Sequence, residues 1–262
     1  MSALSYAVTD SATMLRRNLR HALRYPSMTF ATVVGPVLIL LLFNYAFGGA
    51  LGDGIGRAAG GASYIDYLAP GIILMAATAG STATAVAVCS DMTEGIINRF
   101  RTMAISRTSV LTGHVVGSMI QTLASVAFVI RIAIAIGFQP TADLADWLAA
   151  IGLLALVTLA LTWLSAAFGL VAKTPEAASN APLPLQFLPF LGSAIVPTDS
   201  MPASMRFFAE HQPFTPIIET LRGLLMGTAI GSSGLVAVAW CVGLTLVGYA
   251  WAHRTFDRPR TR

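Results

Sequence analysis

The chain has 262 residues, of which 55% are hydrophobic and 11% are charged, and its formal net charge is +4. Soluble domains carry about 25% charged residues, so this composition argues against a water-soluble globule. A basic balance can indicate nucleic acid as a partner, but in a chain this apolar it must first be tested against membrane topology.

Apolar segments long enough to cross a membrane recur six times along the chain. Crossing ~30 Å of hydrocarbon takes about 20 residues at 1.5 Å per residue. The six segments are Met28 to Phe47, Tyr67 to Val88, Val110 to Phe138, Trp147 to Val171, Ala177 to Val196, and Ser233 to Ala252. We therefore expect an all-α integral membrane protein with six transmembrane helices, formed by residues 1–262 as a single domain.

Two of the six segments have features of their own. The first follows four arginines with no evident cleavable signal peptide, so we expect it to stay in the membrane as an anchor. The fifth contains Pro182, Pro184 and Pro189. Because proline removes a backbone donor and clashes with the preceding turn, we expect this segment to be short or bent.

Most basic residues fall on one side of this six-span plan, the side that holds both termini. The positive-inside rule counts Lys and Arg in short loops and therefore places both termini in the cytoplasm. The residues on that side are Arg16, Arg17, Arg20, Arg24, Arg99, Arg101, Arg107, Lys173, Arg254, Arg258, Arg260 and Arg262. Topology thus explains the basic balance, and we expect no nucleic acid as a partner.

The residues before the first span are amphipathic. Leu15, Leu19 and Leu23 recur at helical spacing, and the arginines occupy the rest of the circumference. This pattern is typical of a helix that lies in the headgroup layer, although a merely basic flank that orients the first span is the alternative. The arginines of this predicted interfacial helix are Arg16, Arg17, Arg20 and Arg24.

A polar segment, DMTEGIINRFRTMAISR, covers residues 91–107 between the second and third spans. Asp91 and Glu94 have the spacing of a capping box, which predicts a helix that begins there. Such a helix would place Ile96, Phe100 and Met103 on one face. It could lie along the membrane surface, or it could dock into a groove on a soluble partner.

The external segment before the last span is also amphipathic, because it mixes Phe207, Phe208 and Leu221 with charged residues. We expect two short helices, broken at Pro213 and Pro216, that fold back into the outer leaflet.

Catalytic and ion-coupling motifs are absent from the sequence. Nothing resembles a P-loop, so the chain alone is not expected to hydrolyse ATP or to act as an enzyme. The four histidines show no metal-ligand spacing, so we expect no metal site. Two alternatives fit poorly: a membrane-embedded enzyme would need clustered reactive side chains, and an ion-coupled secondary transporter normally has carboxylates inside its spans.

Arg131 is the one charged residue well inside a predicted span. It could snorkel to the external interface, or it could face a translocation cavity. Span two has small residues at helical spacing, Ala76, Gly80, Ala83 and Ala87, which permit close approach of a helix of the same chain or of a second chain.

Several motifs in a fixed order carry a resemblance to a known family. They are FNYAFGGAL, YIDYLAPGI, DMTEGIINRFRTMAISRTSVLTGHV, LPFLGSAIVPTDSMPASMRFF and QPFTPIIETLRGLL. With them the chain resembles the ABC-2 type transporter permeases, and among these the daunorubicin and doxorubicin resistance permeases of actinobacterial drug exporters. The similarity extends from Arg16 to Tyr249.

The resemblance implies that the segment between spans two and three holds a coupling helix for a separate ATPase subunit. The family usually has proline where this chain has Ala104, which leaves the end of that helix uncertain. The residues implied in coupling are Asp91, Glu94, Gly95, Ile96, Arg99, Phe100, Arg101 and Arg107. Re-entrant external helices are implied from Met201 to Leu225.

The resemblance further implies a permease in the bacterial cytoplasmic membrane that pairs with a second copy or a paralogue. ATP and Mg would bind the partner ATPase, and no cofactor would bind this chain. The cargo would be a small hydrophobic or amphipathic compound, either an antibiotic or other drug, or a lipid. The candidate residues for its path are Thr78, Thr82, Arg131, Gln186, Phe187 and Phe190.

Overall fold

The computed structural model describes residues 26–49, 63–93 and 107–257, and every regular element in these ranges is helical. The all-α prediction is therefore confirmed for the described part of the chain. The interfacial helix predicted around Arg16 to Arg24 lies outside the described residues.

The helices follow one another through short connections. The first helix, Pro26–Leu41, continues directly into a π-helical segment, Leu42–Phe47. Short 3₁₀ helices at Leu188–Leu191 and Thr198–Ser200 separate the sixth helix from the seventh. In chain order the helices are α1 (Pro26–Leu41), α2 (Tyr64–Thr93), α3 (Arg107–Ala135), α4 (Leu144–Val171), α5 (Pro175–Asn180), α6 (Leu183–Phe187), α7 (Ala203–His211), α8 (Phe214–Met226) and α9 (Ser233–Asp257).

Four helices in the described ranges are long and apolar enough to cross a membrane. They comprise Tyr64–Thr93, Leu111–Ala135, Leu144–Val171 and Ser233–Phe256, and they coincide with the second, third, fourth and sixth predicted segments. A shorter apolar helix, Thr32–Phe47, covers most of the first segment. The six-span arrangement itself stays a prediction.

The fifth predicted segment is not one continuous helix. α5 and α6 are short, and the chain then passes through a 3₁₀ helix into irregular turns. Proline occupies the first turn of each short element, where its missing N–H costs no helical hydrogen bond. The prolines therefore divide the segment into short pieces, each of which begins a new turn.

The break expected at Pro216 is wrong, whereas the one near Pro213 is observed. α7 ends at His211 and α8 begins at Phe214, so Pro216 lies inside the first turn of α8. Proline is tolerated there because the first N–H groups of a helix have no intrahelical partner.

α2 lies at the centre of the bundle and packs against α1, α3, α4 and α5, while α9 packs against α4. Small residues allow these close approaches. A Cβ atom on Gly80 would lie 2.6 Å from the Thr122 side chain of α3, and one on Gly248 of α9 would lie 2.8 Å from the Leu164 backbone of α4. Of the small-residue face predicted on span two, Ala76 and Gly80 are buried, whereas Ala83 and Ala87 are exposed.

The bundle has two ends, which we name by residues that lie there. At the Gln139 end, the Asp66 carboxylate at the start of α2 accepts from the Gln139 amide at 3.1 Å, and the Thr141 amide donates to the Leu225 carbonyl at the end of α8. At the Asp91 end, α2 and α4 finish and α3 begins. Residues 93 and 107, which flank the undescribed residues 94–106, therefore both lie at the Asp91 end.

Candidate functional site

A cavity of about 470 Å³ lies between α1, α2 and the broken segment that contains α6. Its volume is within the range of small-molecule sites in proteins, roughly 300–1,000 Å³. Four predicted path residues, Thr82, Gln186, Phe187 and Phe190, line it together. The other lining residues are Thr32, Gly35, Pro36 and Ile39 of α1, and Met75, Ala79, Ala83 and Val86 of α2.

Helical spacing explains the α2 wall of this cavity. Ala79, Thr82, Ala83 and Val86 occupy positions i, i+3, i+4 and i+7, which lie on one face of a helix. Two of the four are alanines, whose small side chains project little into the cavity. Across the cavity on α1, a Cβ atom on Gly35 would meet nothing within 4 Å. Small side chains on both helices leave the space open.

A hydrogen bond joins two of the side chains that line the cavity. Gln186 Nε2 donates to Thr82 Oγ1 at 2.7 Å, and this hydroxyl donates in turn to the Thr78 carbonyl one turn earlier at 3.2 Å. The bond ties the broken segment to α2. The Phe187 and Phe190 rings lie 6.3 Å apart beside it and are tilted by 39°, so they form an aromatic wall.

Two predicted path residues do not line the cavity. Thr78 is buried inside the bundle, where its hydroxyl donates to the Leu74 carbonyl at 2.9 Å. Arg131 is exposed on α3, four residues before that helix ends at Ala135. This separation is about 6 Å along the helix axis, which is within the reach of an arginine side chain.

Arg222 of α8 forms a partly buried cluster that the sequence did not predict. Its guanidinium donates to the Tyr67 carbonyl from Nε at 3.2 Å and from Nη2 at 3.1 Å, to the Ser193 carbonyl at 2.8 Å, and to Glu219 Oε1 at 2.8 Å. It also lies over the Tyr67 ring, 3.8 Å from the centroid. The sequence signal was weak, because a Glu and an Arg three residues apart occur on many exposed helices.

These bonds hold residues 192–196, which we call the re-entrant turn, against α2. The Tyr67 hydroxyl donates to the Ser193 carbonyl at 3.0 Å, and the Tyr64 hydroxyl donates to the Ile195 carbonyl at 3.4 Å. The backbone also approaches closely, since a Cβ atom on Gly71 would lie 2.6 Å from the Ala194 carbonyl oxygen. Irregular backbone inside a bundle is stable only when such partners satisfy its carbonyls.

Gln212, which lies between α7 and α8, supports the same turn. Its amide group donates to Thr215 Oγ1 at 3.0 Å and accepts from the Phe214 amide at 3.1 Å, which caps the start of α8. The side chain packs directly over Gly192, where a Cβ atom would collide with it. The turn, the cap and the Arg222 cluster thus form one unit next to the cavity segment.

Asp91 lies inside α2, so the prediction that it caps a new helix is wrong. α2 continues to Thr93, and the Asp91 carboxylate lies 2.9 Å from His114 Nε2 of α3. Both side chains are largely buried. Asp91 therefore pairs across two helices instead of capping one. The other predicted coupling residues, except Arg107 at the start of α3, lie outside the described residues: Glu94, Gly95, Ile96, Arg99, Phe100 and Arg101.

α7 is amphipathic and contacts α8 and the 3₁₀ helix Thr198–Ser200. Arg206 pairs with Asp199 at 2.6 Å and with Glu210 at 2.7 Å, and these two carboxylates raise the pKa of its guanidinium. Phe207 and Phe208 are 66% and 47% exposed. A helix with one ionic face and two exposed phenylalanines is typical of a membrane surface.

Long apolar helices and a broken segment packed between them are typical of a multi-pass membrane protein. The sequence model of the ABC-2 type transporter family matches residues 10–226, so the chain belongs to this family. It is 26% identical over 246 residues to a daunorubicin resistance ABC transporter permease of Streptomyces coeruleorubidus, covering 90% of this chain and 85% of that protein.

A second relative is a probable doxorubicin resistance ABC transporter permease of Mycobacterium tuberculosis. It is 23% identical over 218 residues, which cover 83% of this chain and 79% of the relative. The predicted resemblance is confirmed. Both relatives are named as permeases of ABC transporters, and the chain belongs to the same ABC-2 type transporter family.

Proposed function

We propose that this chain is the transmembrane subunit of an ATP-driven exporter of hydrophobic or amphipathic compounds, either antibiotics and other drugs or lipids. The cavity between α1, α2 and α6 carries this proposal, because it combines apolar walls, two phenylalanines and a small number of polar groups. The names of the two drug-resistance relatives favour an antibiotic as cargo.

The proposed topology has six crossings in a bacterial cytoplasmic membrane, with both termini in the cytoplasm. α1 and the broken segment would add two crossings to the four long helices. Bonds from Tyr64, Tyr67 and Arg222 support this role for the broken segment, since they satisfy carbonyls that lipid could not. In this topology the Asp91 end is cytoplasmic and the Gln139 end is external.

The energy would come from a separate ATPase subunit that binds ATP and Mg, since the sequence has no P-loop. We propose that residues 91–107 contact this subunit. α2 runs without interruption from Asp91 to Thr82 in the cavity wall, a distance of about 14 Å. A displacement imposed at the Asp91 end would therefore move the cavity wall with it.

The Asp91–His114 pair supports this mechanism, because it fastens α2 to α3 where the proposed coupling segment begins and ends. Movement of that segment would displace both helices together. ATP binding in the partner would then favour one arrangement of the permease, and hydrolysis would release it.

We also propose that two permease copies, or this chain and a paralogue, form the working transporter. Ala83 and Ala87 of α2, together with Phe187, remain exposed next to the cavity. A second copy facing this side would close the cavity from lipid and complete an export path.

The proposal is tested by association with an ABC ATPase co-expressed with the permease. Arg99→Glu and Arg101→Glu should leave membrane insertion normal and weaken co-purification of the ATPase, because the charges that meet the partner are reversed. Arg206→Glu on α7 is the matched control and should co-purify normally. Unimpaired association and transport by the Arg99→Glu, Arg101→Glu double variant would contradict the coupling role.

A further inference from the structure

Among the described residues that line the cavity, Gln186 has a polar atom without a hydrogen-bond partner. Gln186 uses its amide nitrogen to bond Thr82, and no described residue donates to its Oε1 atom. We propose that the cavity selects an uncharged guest with a flat apolar body and a hydrogen-bond donor, which the guest gives to Gln186 Oε1. This inference rests on the proposed export function, because it names the class of compound that the same cavity takes.

The hydrogen bonds of Thr82 fix the orientation of the Gln186 amide. A threonine hydroxyl has one hydrogen, and Thr82 gives it to the Thr78 carbonyl. Thr82 Oγ1 can then only accept, so the amide atom that faces it at 2.7 Å must be the NH₂ group. The carbonyl side of the amide is left for a ligand, and it can only accept a hydrogen bond.

The lining argues against a charged guest. Among the described residues that line the cavity there is no Asp, Glu, Lys, Arg or His, and the polar side chains are Thr32, Thr82 and Gln186. An ion would lose its hydration here without an opposite charge to replace it, which is strongly unfavourable. A hydroxyl or an uncharged amine avoids this cost.

The shape of the cavity favours a flat apolar body. Phe187 and Phe190 provide ring faces on the same short segment as Gln186, and Gly35, Ala79 and Ala83 leave room opposite. Aromatic rings prefer offset or tilted contact with other rings, so a flat guest can lie along them. Its donor would then be next to the Gln186 amide.

The test uses 2-naphthol, which is uncharged at neutral pH and carries an O–H donor, and 2-methoxynaphthalene, which lacks it. Binding to the full chain in nanodiscs is measured by equilibrium dialysis, and partition into empty nanodiscs is subtracted. We expect 2-naphthol to bind roughly three- to ten-fold more tightly, the usual effect of one neutral hydrogen bond. The anion naphthalene-2-sulfonate should show no saturable binding.

Variants assign the preference to the amide. Gln186→Met keeps a similar length without polar atoms, so both probes should bind with a ratio near one. Thr82→Val frees the amide to turn its NH₂ group toward the guest and should lower the ratio. Thr245→Val on α9 is the matched control and should leave the ratio unchanged, because Thr245 bonds only within its own helix.

Equal affinity of the two neutral probes in the native chain would overturn the inference, as would a preference that survives in Gln186→Met. Absence of binding by both neutral probes, or saturable binding of the sulfonate, would also overturn it. ATP-driven export without a donor preference would remove this inference alone. A donor preference in a chain that never pairs with an ATPase would instead remove the proposed function.

Discussion

Asp91 of α2 and His114 of α3 lie 2.9 Å apart at the end of the bundle where α2 ends and α3 begins. Their side chains are 14% and 6% exposed, so the pair joins the two helices in a largely dry environment. Replacing Asp91 would leave the buried His114 side chain without this partner, which costs more than the pair contributes.

Asp91→Asn should therefore weaken the contact between α2 and α3 and reduce coupling between ATP hydrolysis and transport. We expect the complex to form but transport per ATP hydrolysed to fall several-fold. The ratio of cargo efflux to phosphate release in proteoliposomes measures this effect. Asp143→Asn, at the N-terminus of α4 and at the opposite end of the bundle, is the control. An unchanged ratio in Asp91→Asn would argue against a coupling role for the pair.

Arg222→Leu should destabilise the fold by on the order of 3 kcal/mol, because two backbone carbonyls and Glu219 lose their charged donor. Thermal unfolding in detergent measures the change. Arg206→Leu removes an exposed arginine from two ion pairs and should have a much smaller effect. Equal effects of the two substitutions would contradict the structural role of Arg222.

Gly71→Ala should displace the re-entrant turn, since the new Cβ atom would lie 2.6 Å from the backbone oxygen of Ala194. Backbone cannot move aside as a flexible side chain can, so a lower unfolding temperature is expected. Gly152→Ala on α4 meets nothing within 4 Å and should be neutral or slightly stabilising, because alanine favours helix. A tolerated Gly71→Ala would mean that the turn does not pack closely on α2.

Phe187→Ala and Phe190→Ala should each raise the KM for transport by about ten-fold, because each removes an apolar face from the cavity. Initial rates of efflux at varied cargo concentrations give KM and kcat separately. Phe128→Ala changes an exposed ring on α3, outside the cavity, and is the control. Unchanged KM in both cavity variants would place the cargo path elsewhere.

The sequence was sufficient for the features that depend on local pattern. Length and hydropathy identified the four long helices, and three prolines indicated that the fifth segment would be interrupted. Four residues predicted for a cargo path, Thr82, Gln186, Phe187 and Phe190, line one cavity, and their role in transport stays a prediction. The prediction of these four residues depended on family resemblance as well as on residue type.

Contacts between residues that lie far apart in the sequence were not predicted. Asp91 looks like a helix cap in the sequence, because its partner His114 lies 23 residues away on another helix. Arg222 looks like an ordinary charge on an amphipathic helix, because its acceptors belong to Tyr67 and Ser193, 155 and 29 positions away. Local spacing predicts helices and turns, whereas these contacts exist only after the helices pack.

The central claim is that this permease exports its cargo only when a partner ATPase hydrolyses ATP. The most direct measurement is uptake of a fluorescent amphipathic drug into inside-out proteoliposomes that contain the permease and a co-purified ABC ATPase. We expect uptake that requires both subunits, Mg and ATP, and that stops when the P-loop lysine of the ATPase is replaced. Uptake by the permease alone, driven by a proton or sodium gradient without ATP, would contradict it.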